Sequence, residues 1–284
     1  MIRMKADYHV HYYIDACANE SMTFENIENE AYKLGLEEIA VLKHYSATLP
    51  NGKQDWVCWH RIIPAEFEKY LKEKNEYKPK HLIKIYSGVE TELVNERGDI
   101  NIPQEAIDRI DRVALSVHYM IDLECLDMDL MLYPDLSFCP ADNNEHGRAL
   151  VERWRRKILG AGAENVVKGL VNGYCNAIKN HPEIRTLAHI NDGVQPLRVY
   201  LADVDSLEPD SLARMFDPLF ETMKQKDVLW EISGKCRSES VVKRARDAGV
   251  RFAVTSDSHF ISGGWANLCD HDKVEEYVER LIAE

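Results

Sequence analysis

The chain has 284 residues, 45% of them hydrophobic and 29% charged, an ordinary globular balance and long enough for one large domain. Its net charge of −13, with no long basic run, sets most of its surface against a nucleic-acid backbone and disfavours a DNA or RNA partner. No charged-then-apolar leader opens it and no apolar run of about 18 residues interrupts it, which points to a cytoplasmic protein without a membrane segment.

The seven cysteines (Cys17, Cys58, Cys125, Cys139, Cys175, Cys236 and Cys269) are scattered and lack Cys-x-x-Cys spacing, so neither a disulfide framework nor a zinc ribbon is indicated. Six of them read as small buried hydrophobes.

In chain order, a short apolar lead runs into Asp7-Tyr8-His9-Val10-His11, the end of a first strand. Residues i and i+2 of a strand share a face, so His9 and His11 can grip one ion. Met22–Gly35 reads as a helix with a Ser21 or Thr23 cap and a glycine stop. A second strand, Glu38–Leu42, ends at Lys43-His44, and a helix is expected around Ala65–Lys74. The third strand, Leu82–Tyr86, runs into Ser87-Gly88-Val89-Glu90. A helix over Gln104–Ile110 precedes the fourth strand, Arg112–Val117, which ends at His118.

The acidic stretch from about 122 to 145 reads as a long insertion, a loop or lid. Helices are expected over Gly147–Leu159 and Glu164–Asn180, then a fifth strand, Ile184–Ala188, ending at His189. A helix over Ser211–Lys226 leads to the sixth strand, Val228–Trp230, ending at Glu231. Ser238 caps a helix to Ala248, the seventh strand is Phe252–Thr255, and a last helix spans Asp272 to Leu281. Strand-helix alternation kept up through about seven units means a parallel sheet. The expectation is one α/β domain over residues 1–284, an α/β barrel or a related closed sheet.

In such barrels the chemistry sits at the C-terminal rim. Here the strand ends present His9 and His11, His44, Glu90, His118, His189, Glu231, and Asp257 with His259. Histidine with carboxylate and few thiolates suits zinc, iron or manganese rather than calcium or magnesium.

These motifs together resemble the PHP (polymerase and histidinol phosphatase) superfamily, and most closely its stand-alone histidinol-phosphatase-type members. The resemblance runs through Asp-x-His-x-His at 7–11, His44, Gly-Val-Glu at 88–90, Ser-Val-His at 116–118, Ala-His at 188–189, Glu-Ile at 231–232 and Ser-Asp-Ser-His at 256–259. It implies a distorted seven-stranded (β/α) TIM-like barrel and two or three divalent ions. By that resemblance His9, His11, Glu90 and Asp257 hold the first ion. Glu90 bridges to a second, completed by His118 and His189, and His44 and His259 hold a third with Cys17, where many members have histidine. Asp15 is a nearby alternative to Cys17. Lys43 stands where members usually have aspartate, and is expected to turn outward or to meet substrate phosphate. Glu231 is expected to hydrogen-bond a ligand histidine, and Glu92 to be a loop carboxylate.

Two ions sharing a carboxylate lower the pKa of a bridging water from about 15.7 to near 7, producing a hydroxide that attacks phosphorus in line. The residues expected to carry the reaction are Glu90, His118 and Asp257, with Asp257 or a bound water protonating the leaving group. Arg198, Lys235 and Arg237, just past strand ends, are expected with Lys43 to meet phosphate. The reading is a metal-dependent phosphatase of a small phosphomonoester, with L-histidinol phosphate of histidine biosynthesis the leading candidate. A phosphodiesterase or nuclease, or a non-catalytic binding module of the same fold, are the alternatives.

Overall fold

The computed structural model describes residues 5–45, 64–117, 121–126, 156–190, 206–233 and 239–283. Seven strands form one sheet in sequence order, and every neighbouring pair is parallel. They are β1 (Ala6–His11), β2 (Glu38–Tyr45), β3 (Lys84–Glu92), β4 (Arg112–Ser116), β5 (Ile184–Leu187), β6 (Leu229–Ile232) and β7 (Phe252–Val254). The sheet curls until its edges meet just past β7. His11 N donates to Ser258 O at 2.9 Å and Ser258 N to His9 O at 3.3 Å. The fold is therefore the expected TIM-like barrel.

Period-two alternation sorts the strand residues. Ile39, Val41, Val89, Val113, Leu115 and Leu187 join the large core between sheet and helices. Ala40, Leu42, Ala114 and Ala188 form a separate cluster inside the barrel, with Tyr8 and Tyr86 packed against it. Below them the Arg112 guanidinium lies 3.9 Å from the Tyr8 ring centroid, and both tyrosine hydroxyls donate to Glu38 Oε2. His44, Glu90, Glu92 and Ser116 share parity with this inner set, so the upper part of the lumen is polar. The β1–β2 register slips between Asp7 and Val10. Such a bulge lets Tyr8 and the pair His9 and His11 serve the same interior.

The helices are α1 (Phe24–Lys33), α2 (Pro64–Glu76), α3 (Gln104–Ile107), α4 (Ala163–Asn180), α5 (Pro209–Met215), α6 (Asp217–Lys226), α7 (Glu239–Asp247) and α8 (His271–Ala283). Thr23 caps α1, its side chain accepting from Asn26 N at 3.3 Å. The helix expected over Ser211–Lys226 is two, α5 and α6, divided at Phe216. Pro218 has no N–H to continue the first helix, so it opens the second instead. The third strand runs six residues beyond Tyr86, through Gly88 to Glu92, which corrects the reading of Glu92 as a loop carboxylate. Strand pairing on both sides overrides the glycine. No helix among the described residues is long and apolar enough to cross a membrane. The helix expected over Gly147–Leu159 and the 122–145 insertion fall largely outside the described residues; of the insertion, Leu123 and Leu126 are buried.

The turn after β3 is moored to α4 by three asparagines one helical turn apart. Asn172 Nδ2 donates to Glu96 Oε1, Asn176 Nδ2 to Glu96 O and Asn180 Nδ2 to Arg97 O, at 2.8–3.1 Å. Gly98 closes this turn at φ +87°, and a Cβ there would lie 2.3 Å from Ala177 N. Left-handed backbone and overlap with helix backbone act together, so Gly98→Ala is expected to lower unfolding free energy by about 3 kcal/mol. Urea denaturation should register this as a lower midpoint at unchanged slope.

Candidate metal centre

β1 delivers two imidazoles to the upper lumen, and what surrounds them defines the site. His9 Nδ1–H donates to Glu231 Oε2 at 2.6 Å, and His11 Nδ1–H points at Asp15 Oδ2 at 3.3 Å. These carboxylates orient the rings, so each turns its Nε2 edge inward. The two Nε2 atoms lie 3.2 Å apart. Glu90 Oε2 is 3.3 Å from the first and 3.5 Å from the second; Asp257 Oδ1 is 3.6 and 3.3 Å away. Asp257 groups with these two imidazoles, and Glu90 Oε2 flanks the same pair of nitrogens. Two carboxylates held against two imidazoles out of water call for positive charge, and the ligand set fits a divalent transition metal.

Two further groups adjoin this one. His9, Glu90 and His189 have ligand atoms within 4.8 Å of one another, with His189 Nε2 at 2.9 Å from Glu90 Oε1. His11, Cys17, His44 and His259 form the other; the His11 ring lies 4.0 Å from His259 and 4.4 Å from His44, centroid to centroid. Each expected ligand within the described residues therefore lies in one of three overlapping clusters, with Glu90 touching His9, His11, His44 and His189. His118 lies outside the described residues, as do Arg198, Lys235 and Arg237. His189 and Asp257 adopt φ +32° and +47°, uncommon for residues with a Cβ and frequent where a side chain is aimed at a functional point.

The electrostatics express the same demand for positive charge. Burial pushes the His9 imidazole down, but Glu90 and Glu231 outweigh it and hold it well above its ordinary value. His259, buried beside His11, is pushed down to about 3. Burial raises the Asp257 carboxyl, yet His11, His259 and His9 more than reverse this and hold it far below the usual range. That state suits a cation ligand. Burial first, then Asp15, Glu90 and Asp257, push the Cys17 thiol up. A bound dication would invert that field and favour the thiolate.

Lys43 departs from the sequence expectation. It does not turn outward to solvent: the side chain is 1% exposed, and Nζ donates to Asp15 Oδ1 at 2.5 Å. Glu66 lies 3.7 Å from the same ammonium. Asp15 also accepts from His44 N at 3.1–3.2 Å, so its oxygens are engaged as props rather than as the alternative ligand to Cys17. Burial raises the Asp15 carboxyl, but Lys43 and His11 bring it below its ordinary value. Asp7 is another prop. Buried at the motif's head, it accepts from His9 N at 3.1 Å and Ser256 N at 3.2 Å and so ties β1 to the segment carrying Asp257.

Fold and site together define a (β/α) barrel whose upper lumen gathers histidines and carboxylates able to hold a metal ion. The chain matches no protein-family model. It shares its fold with the crystal structure of histidinol phosphate phosphatase from Lactococcus lactis subsp. lactis Il1403, solved with zinc, L-histidinol and phosphate. The TM-score is 0.57 at 18% identity, over 99% of this chain and 93% of that one. In sequence it is 22% identical over 263 residues to a protein named "Probable phosphatase" from Thermoanaerobacter sp. (strain X514), covering 91% of this chain and 80% of that protein. A like-named protein of Caldanaerobacter subterraneus subsp. tengcongensis is 23% identical over 263 residues. The barrel implied by the resemblance to the PHP superfamily is thus the barrel found.

Two outcomes are expected. Glu231→Gln removes the carboxylate that orients His9 and should weaken metal affinity about 10- to 100-fold, read by competition with a chromophoric chelator. Lys43→Met leaves Asp15 as an uncompensated buried charge and should cost roughly 3–5 kcal/mol in urea unfolding. The double variant with Asp15→Asn should recover part of that loss.

Proposed function

We propose that this chain is a metal-dependent phosphoesterase acting on a small phosphomonoester, with L-histidinol phosphate the leading substrate. The observation that carries the reading is the gathering of His9, His11, Glu90 and Asp257 in the barrel's upper lumen, each carboxylate within 3.3–3.6 Å of both ring nitrogens. It is supported by the fold shared with the Lactococcus enzyme and by the names of the two sequence relatives.

His9, His11, Glu90 and Asp257 would hold one ion, His189 with Glu90 and His118 a second, and His44, His259 and Cys17 a third; zinc, iron and manganese all suit this donor set. Two or three such ions supply a water acidified from about 15.7 to near 7 and neutralise phosphoryl oxygens. The protein's own part is to hold the imidazoles in orientation through Glu231 and Asp15. Glu90 lies against both the His9–His11 pair and His189, and Asp257 stays ionised. Arg198, Lys235 and Arg237 are the proposed phosphate-binding cations. The net charge of −13 weighs against long polyanions, and a small ester is the preferred substrate over a nucleic acid. The free thiols Cys17, Cys125, Cys175 and Cys269 fit a reducing compartment, and the cytoplasm is the one proposed.

The test is turnover of p-nitrophenyl phosphate, bis-p-nitrophenyl phosphate and L-histidinol phosphate by protein loaded with zinc, iron or manganese. Monoester hydrolysis that a chelator abolishes and added metal restores is expected. Faster diester hydrolysis would favour the nuclease alternative, and bound metal without turnover a binding module. His9→Ala and Glu90→Ala should each reduce activity at least about 100-fold and lower metal content by elemental analysis. Wild-type metal content in either variant would contradict the assignment.

A further inference from the structure

The segment after β7 carries two proposed ligands, Asp257 and His259, and then folds back on itself. His259 N and Phe260 N both donate to Ala266 O, at 3.0 and 3.1 Å, and Leu268 N donates to Phe260 O at 2.8 Å. Gly264 N donates to Asn267 Oδ1 at 2.7 Å, and Asn267 Nδ2 returns to Gly264 O at 3.0 Å and to Asp270 Oδ2 at 2.9 Å. The turn depends on its glycines: Gly263 sits at φ +78°, and a Cβ on Gly264 would lie 2.1 Å from the Phe260 ring. What this small, tightly bonded loop displays is Trp265.

The Trp265 indole is 59% exposed, while its ring centroid lies 4.3 Å from that of His259 at 36°. Phe260 meets it edge-on at 6.4 Å. An isolated exposed apolar side chain is unremarkable on a protein surface. This one differs because the backbone has been committed to fixing it one ring away from the cation cage. An indole held rigidly by its neighbours binds a flat ligand with little further loss of side-chain freedom, which is why tryptophan recurs at binding hot spots.

We propose that Trp265 is a specificity-determining residue: its indole stacks on an aromatic or heteroaromatic ring in the alcohol part of the phosphomonoester while the phosphate occupies the cage. This rests on the phosphoesterase reading and deepens it to a substrate class. An imidazole-bearing ester belongs to that class, as do phenyl and other planar nitrogen-heterocycle esters; esters of glycerol or serine do not.

The test is binding of two non-hydrolysable probes, phenylphosphonate and methylphosphonate, to metal-loaded protein by calorimetry, with metal content checked in each variant. Wild type should bind phenylphosphonate the more tightly. Trp265→Ala should lose about tenfold for phenylphosphonate and stay within about twofold for methylphosphonate, and Trp265→Phe should recover most of the preference. Should the alanine variant fail to hold metal, Trp265→Leu fills the loop without a flat face and is expected to show the same selective loss. A wild type with no preference, or equal weakening of both probes in the variants, would overturn the proposal; the second result would make Trp265 a mere buttress of His259. Turnover is scored separately. Trp265-dependent phenylphosphonate binding without hydrolysis of any ester would keep this inference and sink the phosphatase.

Discussion

Imidazoles and carboxylates packed together out of water are a costly arrangement without a compensating charge, and this barrel is built to maintain one. His9, His11, Glu90 and Asp257 crowd their polar ends together in a largely buried lumen. Each would be better solvated elsewhere. What keeps them in place is the outer ring: Glu231 on His9, Asp15 on His11, Asp7 on the backbones of residues 9 and 256. The fold spends stability on this preorganisation, and a bound cation returns it by linkage, since an ion that binds only the folded chain stabilises it.

The topology explains why so few local features are needed. Seven parallel strands bring seven C-terminal ends to one rim, so ligands far apart in sequence need only occupy the last inward position of each strand. Closure between β1 and the segment after β7 is the sensitive joint, because the two ends of the chain meet there to complete the first cluster. Asp7 accepts hydrogen bonds from both sides of that joint. The lower lumen is closed by the Tyr8–Arg112–Tyr86 stack over Glu38, a polar plug that leaves the upper lumen to the histidines and carboxylates.

Much of this was legible in the chain because metal ligands are few in type and fall at strand ends. Alternation of apolar runs gave the barrel, and His9, His11, His44, Glu90, His189, Asp257 and His259 follow from where those runs stop. Glu231 was readable too, since a carboxylate at a strand end beside histidine ligands orients one of them. Period two tells which face a residue takes, but not which side chain from another strand meets it. Hence Lys43 and Asp15, 28 residues apart, gave no sign of pairing, and Gly88 concealed the continuation of β3 to Glu92. Trp265 was illegible for a different reason: its placement depends on hydrogen bonds closing a loop of irregular backbone, which leave no periodic trace.

Lys43 poses the remaining question of how a cation can stand beside a site that gathers cations. A free ammonium a few ångströms from a divalent ion would oppose its binding. Here the ammonium lies on the far side of the Asp15 carboxylate from His11, so what His11 meets is one member of a nearly neutral pair. Without Lys43, Asp15 would be a fully charged carboxylate one shell from the cage, able to compete with Cys17 and His44 for an ion. With it, Asp15 stays ionised to orient His11 while the ammonium offsets its charge. The lysine thus sets Asp15 apart from the residues proposed to hold metal and leaves it to aim one of them.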